Sequence, residues 1–256
     1  MKVKEYQMNE IKFDKEIEIA IKAAQTAGRY LKEEKKNLNL KINSNPRDTK
    51  LIADVKSEKL ILDILNKESK YPVLAEESGK SSEDLGEIFW VVDPLDGTAN
   101  YNRNIPICCV SIGLVRNMKP VIGVIFDFNN NDIFVGDNTN KKATLNNIDI
   151  NVSDIENRND GVLITGLPFN TDYSDHALKK LITDMQTWKK VRMVGSAAMA
   201  SCYVASGKAD LYQENGIYLW DIIAGAAIVE SAGGKAEINN INETFQVDVI
   251  FSNSKI

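Results

Sequence analysis

"WVVDPLDGTANY", residues 90–101, is the stretch from which the rest of the chain is read. An apolar run with the pattern of a buried strand ends on two aspartates that bracket a proline, then runs into Asp-Gly-Thr. A solvent turn needs only one carboxylate. Two that converge in a partly dehydrated place repel each other, and several kcal/mol are at stake. A divalent cation resolves that conflict, and a ligand set of hard oxygens favours Mg²⁺, Mn²⁺ or Ca²⁺ over zinc. With residues 88–92 as the strand, Asp93 and Asp96 stand just past its end, where Pro94 stops the ladder and Gly97 permits an unusual backbone angle.

Two more acids join this pattern. "YPVLAEESG" (71–79) is another apolar run that finishes in acids, Glu76 and Glu77, and as a neighbouring strand it would aim Glu76 at the same cluster. "YLWDIIAGAAIVESAGG" (218–234) puts Asp221 in the first turn of a Gly/Ala-rich helix. The helix dipole favours a carboxylate there, so a plain helix cap accounts for Asp221 equally well at this point. Gly97-Thr98 and Gly195-Ser196 each open a helix whose free amides suit an anion. Acids that hold metals beside anion-binding amides point to metal-assisted phosphoryl transfer to water. Each piece alone is ordinary, since "DG" is a common turn; the order of the pieces along the chain carries the inference.

Composition narrows the alternatives. The 256 residues are 43% hydrophobic and 26% charged, enough to bury the core of one domain or two closely packed ones. A net charge of −5 and the lack of a basic stripe interleaved with aromatics make nucleic acid a poor default partner. No segment approaches 18 uninterrupted apolar residues and the N-terminal stretch is charged throughout, so a cytoplasmic protein without a membrane partner is expected. Cys108, Cys109 and Cys202 form neither a CxxC nor a disulfide framework and read as core residues. The single histidine, His176, stands in a polar loop-to-helix stretch and reads as solvated surface, which removes triad chemistry and His-ligated zinc.

The chain divides by rhythm. Residues 10–36 carry Ile17, Ile21, Ala24, Gly28 and Leu31 on one helical face, and a second helix is expected over 54–69. Short β-rich runs from "YPVLAEE" to "NDIFVGD" then predict a mostly antiparallel sheet. Beyond about residue 150, strands "GVLITG", "KVRMV", "ADLYQ" and "GKAEI" alternate with helices over 174–187, 196–206 and 219–232, the rhythm of an α/β unit with crossover helices. Two subdomains follow: an α+β unit over 1–145 that holds the metal-site sheet, and an α/β unit over 146–256 that brings substrate-side residues.

"WVVDPLDGTANY" and "WDIIAGAAIVESAGG" resemble the two signatures of the inositol monophosphatase family, within a superfamily of Mg²⁺-dependent, lithium-sensitive phosphatases that includes fructose-1,6-bisphosphatase and 3'(2'),5'-bisphosphate nucleotidase. The similarity runs from the first helix to "VIFSNSKI", close to the full chain. It implies a five-layered αβαβα sandwich and a homodimer. It also implies that Glu76, Asp93, Asp96, Asp221 and the Leu95 carbonyl ligate metal, with up to three Mg²⁺ per site, Mn²⁺ as a substitute and Ca²⁺ or Li⁺ as inhibitors. Thr98, hydrogen-bonded to Glu76, would orient the attacking water; Asp54 would complete the metal site through water and support that threonine. The amides of Gly97 and Thr98 would hold the phosphate.

The resemblance also bears on substrate. Glu214 in "YQENGIYLWD" lies seven residues before Asp221, the family spacing for an acid that binds inositol hydroxyls. Gly195, Ser196 and Ala197 match the other sugar-facing wall, with Asp96 and Asp221 also on the substrate side. A small phosphate ester of the inositol or sugar class is therefore expected, ahead of the nucleotide esters and fructose 1,6-bisphosphate; a regulatory homologue that binds a protein without turnover is the alternative outside enzymes. Three departures stand out. The family element "DLVTxxD" reads "DTKLIAD", which puts Leu51 at the usual Thr position with Lys50 beside it. Lys41 matches a lysine that approaches the metals, but "INSNPR" after it is longer than usual. Relatives continue into a C-terminal helix past the position of Ile256, a difference expected to touch packing.

Overall fold

Small side chains set the first layer. The amphipathic N-terminal stretch folds as α1 (Asp14–Glu33), followed by the short α2 (Lys35–Leu38). Ala20, Ala24, Ala27, Gly28 and Leu31 form its buried stripe, which lets the helix lie close to the sheet beneath it. The structure, a computed structural model, describes residues 12–45, 48–167 and 172–256. An antiparallel hairpin of β1 (Lys41–Asn45) and β2 (Asp48–Leu51) sets Lys41 opposite Leu51 and leads into α3 (Ile52–Glu68). By sequence "INSNPR" reads as a loop, because polar residues without alternation give no strand signal.

The first sheet has eight strands: β3 (Val73–Ala75), β4 (Gly79–Lys80), β5 (Ile88–Asp96), β6 (Cys109–Arg116), β7 (Lys119–Asp127), β8 (Asp132–Asp137), β9 (Lys142–Leu145) and β10 (Ile148–Asp149). Their order is β10-β9-β8-β7-β6-β5-β3-β4, antiparallel except that β3 runs parallel to β5. A six-residue helix, α4 (Thr98–Arg103), follows β5. Because β10 pairs with β9, this sheet extends past residue 145, where the sequence rhythm drew the boundary.

The second half contains β11 (Val162–Thr165), α5 (Asp175–Met185), β12 (Lys190–Arg192), α6 (Ala197–Ala205), β13 (Leu211–Tyr218), α7 (Leu219–Ser231), β14 (Lys235–Asn239) and β15 (Gln246–Ser252). The sheet order is β12-β11-β13-β15-β14. The four strands read from sequence run parallel, but β15, which the alternating rhythm does not reveal, lies antiparallel between β13 and β14.

Glycines dock the middle layer. Gly113, Gly123 and Gly136 are cross-strand neighbours on β6, β7 and β8. A Cβ on Gly123 would stand 2.0 Å from the Ala224 carbonyl oxygen of α7, and one on Gly136 would stand 2.5 Å from the Ile228 Cα. The stripe lets α7 rest directly on the first sheet. One core joins α6 and α7 to both sheets, and a second joins α1 and α3 to the opposite face of the first sheet. Trp188 and Leu163 pack with Met185 of α5 beyond the second sheet, which completes the five-layered αβαβα sandwich.

Candidate active site

The decisive strand does not stop at Val92. β5 runs through Pro94 to Asp96, with Asp93 opposite Ser111 and Asp96 opposite Cys109, so one extra residue is accommodated between them. This is a β-bulge, a position that tolerates proline and re-aims side chains. On the other edge, β3 pairs only as far as Val92, and the Glu76 amide donates to the Val92 carbonyl at 3.1 Å. Asp93 and Asp96 are buried as a result. Gly97 follows at φ +84°, and a Cβ there would approach the Ile107 carbonyl oxygen to 2.8 Å, so only glycine makes the turn into α4.

Two other acids occupy equivalent helix positions. Asp54 and Asp221 each sit in the first turn, of α3 and α7, and take the amide three residues upstream: Leu51 N donates to Asp54 Oδ2 at 2.6 Å and Tyr218 N to Asp221 Oδ2 at 2.9 Å. The capping role weighed for Asp221 is therefore present, alongside its place in the wall of the main cavity. Asp54 uses its other oxygen to accept the Thr98 hydroxyl at 2.8 Å, and that hydroxyl also lies 2.9 Å from the Leu95 carbonyl. The Thr98 hydroxyl is thus engaged with Asp54 and the Leu95 carbonyl.

Asp96 has the densest set of donors. It accepts from the Ser196 hydroxyl, from Ala197 N at 3.3 Å and from Ala198 N at 3.0 Å, with Cys109 Sγ at 3.7 Å. The amides that open α6, expected from Gly195-Ser196 to serve an external anion, are thus engaged by a carboxylate of the chain itself. Asn100 ties the same loop to α4 through the carbonyls of Val194 at 2.8 Å and Gly195 at 3.3 Å.

A cavity of about 690 Å³ opens over these groups. Glu76, Asp96, Gly195, Ser196, Ala197, Glu214 and Asp221 all line it, and Asp54, Asp93, Leu95, Gly97 and Thr98 do not. Glu214 accepts from the Tyr212 hydroxyl at 2.9 Å, and a Cβ on Gly166 would fall 2.5 Å from its carboxylate, so the acid is fixed from two sides. Burial, opposed by the Tyr212 bond and reinforced by the Asp96 charge, raises the Glu214 carboxyl to about 7.

The charges press on one another. Burial first, then Glu76, Asp96 and Asp221, holds the Asp93 carboxyl well above the usual range. Burial, then Glu76 and Asp96, does the same to Asp221. Asp96 is raised by burial against the pull of Ser196 and the α6 amides. The donors on offer are oxygens only, the set a hard divalent ion takes. Among the described residues no three acids, cysteines or histidines stand close enough to share one ion as the side chains lie; each aspartate rests instead on backbone amides.

Sequence reasoning missed Glu58 and Tyr212. Glu58 is buried on α3, one turn after Asp54, and accepts the Glu77 amide at 2.9 Å. The i, i+4 spacing of two acids on a helix was its only signal. His176 is exposed on α5, Lys41 is exposed on β1, and all three cysteines are buried and unpaired.

The inositol monophosphatase family model matches residues 12–245. The Nus factor SuhB of Xylella fastidiosa is 37% identical over 222 residues, covering 85% of this chain and 80% of that protein. Inositol monophosphatase 1 of Rattus norvegicus is 32% identical over 230 residues, covering 85% and 81%. The crystal structure of the extragenic suppressor protein suhB from Bartonella henselae superposes with a TM-score of 0.83 at 33% identity, covering 93% of each chain. With the layered fold, the acids of the bulge and the family match in agreement, the chain belongs to the inositol monophosphatase family.

Proposed function

We propose that the chain is a Mg²⁺-dependent phosphomonoesterase that hydrolyses inositol 1-phosphate or a related sugar phosphate. The observation that carries this reading is one cavity lined by Glu76, Asp96, Glu214 and Asp221, with Asp93 buried nearby, in which burial and mutual repulsion push the Asp93 and Asp221 carboxyls up. Such an arrangement is costly without a cation and is supported by the oxygen-only donor set. Glu76, Asp93, Asp96, Asp221 and the Leu95 carbonyl would hold the metal, which supplies an acidified water and charge compensation for the leaving group.

The remaining steps belong to side chains of the chain. Thr98 donates its hydroxyl hydrogen bond to Asp54, so an oxygen lone pair is left to accept a hydrogen bond from the attacking water and orient it. Asp54 stays fixed through the Leu51 amide. The amides of Gly97 and Thr98 would face the phosphate. On the leaving-group side, Glu214 accepts polyol hydroxyls, and Tyr212 and Gly166 hold it in the orientation that permits this. A homodimer in the cytoplasm is part of the same reading.

Relatives named Nus factor SuhB favour a second reading, a regulatory homologue that binds another protein without turnover. Phosphate release from myo-inositol 1-phosphate, 3'-phosphoadenosine 5'-phosphate and fructose 1,6-bisphosphate, with and without Mg²⁺, separates the two. Turnover led by the inositol ester supports the first reading; Mg²⁺ binding without turnover on any ester supports the second.

A further inference from the structure

The β1–β2 hairpin carries a cation into the acid cluster at a position where this chain departs from the family element. Lys50 of β2 ends on the carboxylate of Glu77, the second acid of "EES". The Glu77 side chain is only 10% exposed and that of Lys50 is 39% exposed, so the pair is partly withdrawn from solvent. The Glu77 amide in turn donates to Glu58 Oε2 at 2.9 Å, and Glu58 also takes bonds from Ser78. Asp54 and Glu58, one turn apart on α3, both feel the Lys50 charge, which opposes the upward push of burial on their carboxyls. One ammonium thus serves three acids, on the same side of the site as the Asp54–Thr98 pair.

We propose that Lys50 is a resident cation of the active site: on Glu77 it takes the neutralising place that a further divalent ion would otherwise fill, and it pins the β1–β2 hairpin to the "EES" turn whether or not Mg²⁺ is bound. This inference rests on the metal-dependent reading given above. A tethered ammonium gives up no translational freedom on binding, unlike a free ion. It also repels a divalent ion brought next to Glu77. Unit charges a few ångströms apart in a partly desolvated site change an affinity by about tenfold or more.

The test uses Mn²⁺ as a spin probe, with the free ion counted by electron paramagnetic resonance on the intact protein and on Lys50→Met, Lys50→Gln and Lys50→Arg. The uncharged variants are expected to bind one more Mn²⁺ per chain than wild type, or to hold their weakest ion about tenfold more tightly. Lys50→Arg, which keeps the charge, is expected to match wild type. In metal-free buffer, amide exchange across residues 41–51 is expected to quicken in the uncharged variants and not in Lys50→Arg. Equal Mn²⁺ stoichiometry and affinity in all four proteins, with unchanged exchange, overturns the proposal and leaves the metal reading standing. Failure of every protein to bind Mn²⁺ removes the metal reading and the proposal together. Two uncharged variants are included so that poor folding of one still leaves a decisive comparison.

Discussion

Asp96 and Ser196 stand 100 positions apart in the chain and share a side-chain hydrogen bond. Asp96 closes β5 of the first sheet, and Ser196 caps α6 in the second half, where its hydroxyl oxygen also accepts Met199 N at 3.2 Å. This bond, with those from Ala197 N and Ala198 N to the same carboxylate, joins the two halves at the candidate metal site. Ser196→Ala removes the cap and a donor to a buried carboxylate, with an expected loss of about 1–3 kcal/mol. For a chain of this length that lowers Tm by about 2–4 °C per kcal/mol, measured by calorimetry in metal-free buffer. An unchanged Tm would show that the bond contributes nothing.

Asp93, Asp96 and Asp221 have carboxyls raised above the unfolded value, chiefly by burial. A group raised in the folded state binds more protons folded than unfolded, so the metal-free protein is expected to lose stability as pH rises through those raised values. Acidification from neutrality should first stabilise it, until ordinary carboxylates protonate near about pH 4. Mg²⁺ should flatten the trend. Asp93→Asn is expected to raise metal-free stability at neutral pH by on the order of 1 kcal/mol and to reduce the Mg²⁺-induced rise in Tm. Thermal scans across pH, with chelator or Mg²⁺, check both statements.

Glu214, with its carboxyl near 7, ionises within the working range of most assays. Its contribution has the same sign: ionisation above its raised value costs stability, so Glu214→Gln should gain on wild type as pH rises through about 7 and match it well below. If the carboxylate accepts a polyol hydroxyl, the same variant raises KM for the inositol ester about tenfold or more. An unaltered KM would assign Glu214 to packing with Tyr212.

Thr98 separates positioning from bulk. Thr98→Val keeps the shape but removes the hydroxyl, and kcat is expected to fall about 10²–10⁴-fold with little change in KM. Thr98→Ser keeps the bond to Asp54 and should retain most of the rate. A full rate in Thr98→Val together with a loss in Thr98→Ser would point to the methyl group rather than the hydroxyl.

Much of this was legible in the sequence because apolar periodicity and punctuation report local structure directly. The helices around Ala24 and Ile61, the antiparallel run through Ile112 and Val124, and the parallel strands around Leu163 and Leu211 all follow from spacing. What escaped depends on contacts across the chain. The β1–β2 hairpin is polar and gives no period, and β15 fills a gap in a sheet whose other strands already explained the rhythm. Pro94 reads as a strand stop, but the bulge opposite Cys109 and Ser111 absorbs it. The acids Glu76, Asp93, Asp96 and Asp221 were legible as a group from their order along the chain. Their partners, Ser196 for Asp96, Glu58 for the Glu77 amide and Tyr212 for Glu214, are set by the tertiary fold and leave almost no local trace.

The most direct test of the central claim is the rate of phosphate release from myo-inositol 1-phosphate as Mg²⁺ is titrated into wild type and Asp96→Asn. Turnover that requires Mg²⁺, exceeds that on 3'-phosphoadenosine 5'-phosphate and fructose 1,6-bisphosphate, and falls at least about 10²-fold in Asp96→Asn is the predicted result. Release that is independent of Mg²⁺, or a full rate in Asp96→Asn, would contradict a metal-dependent phosphatase built on this carboxylate.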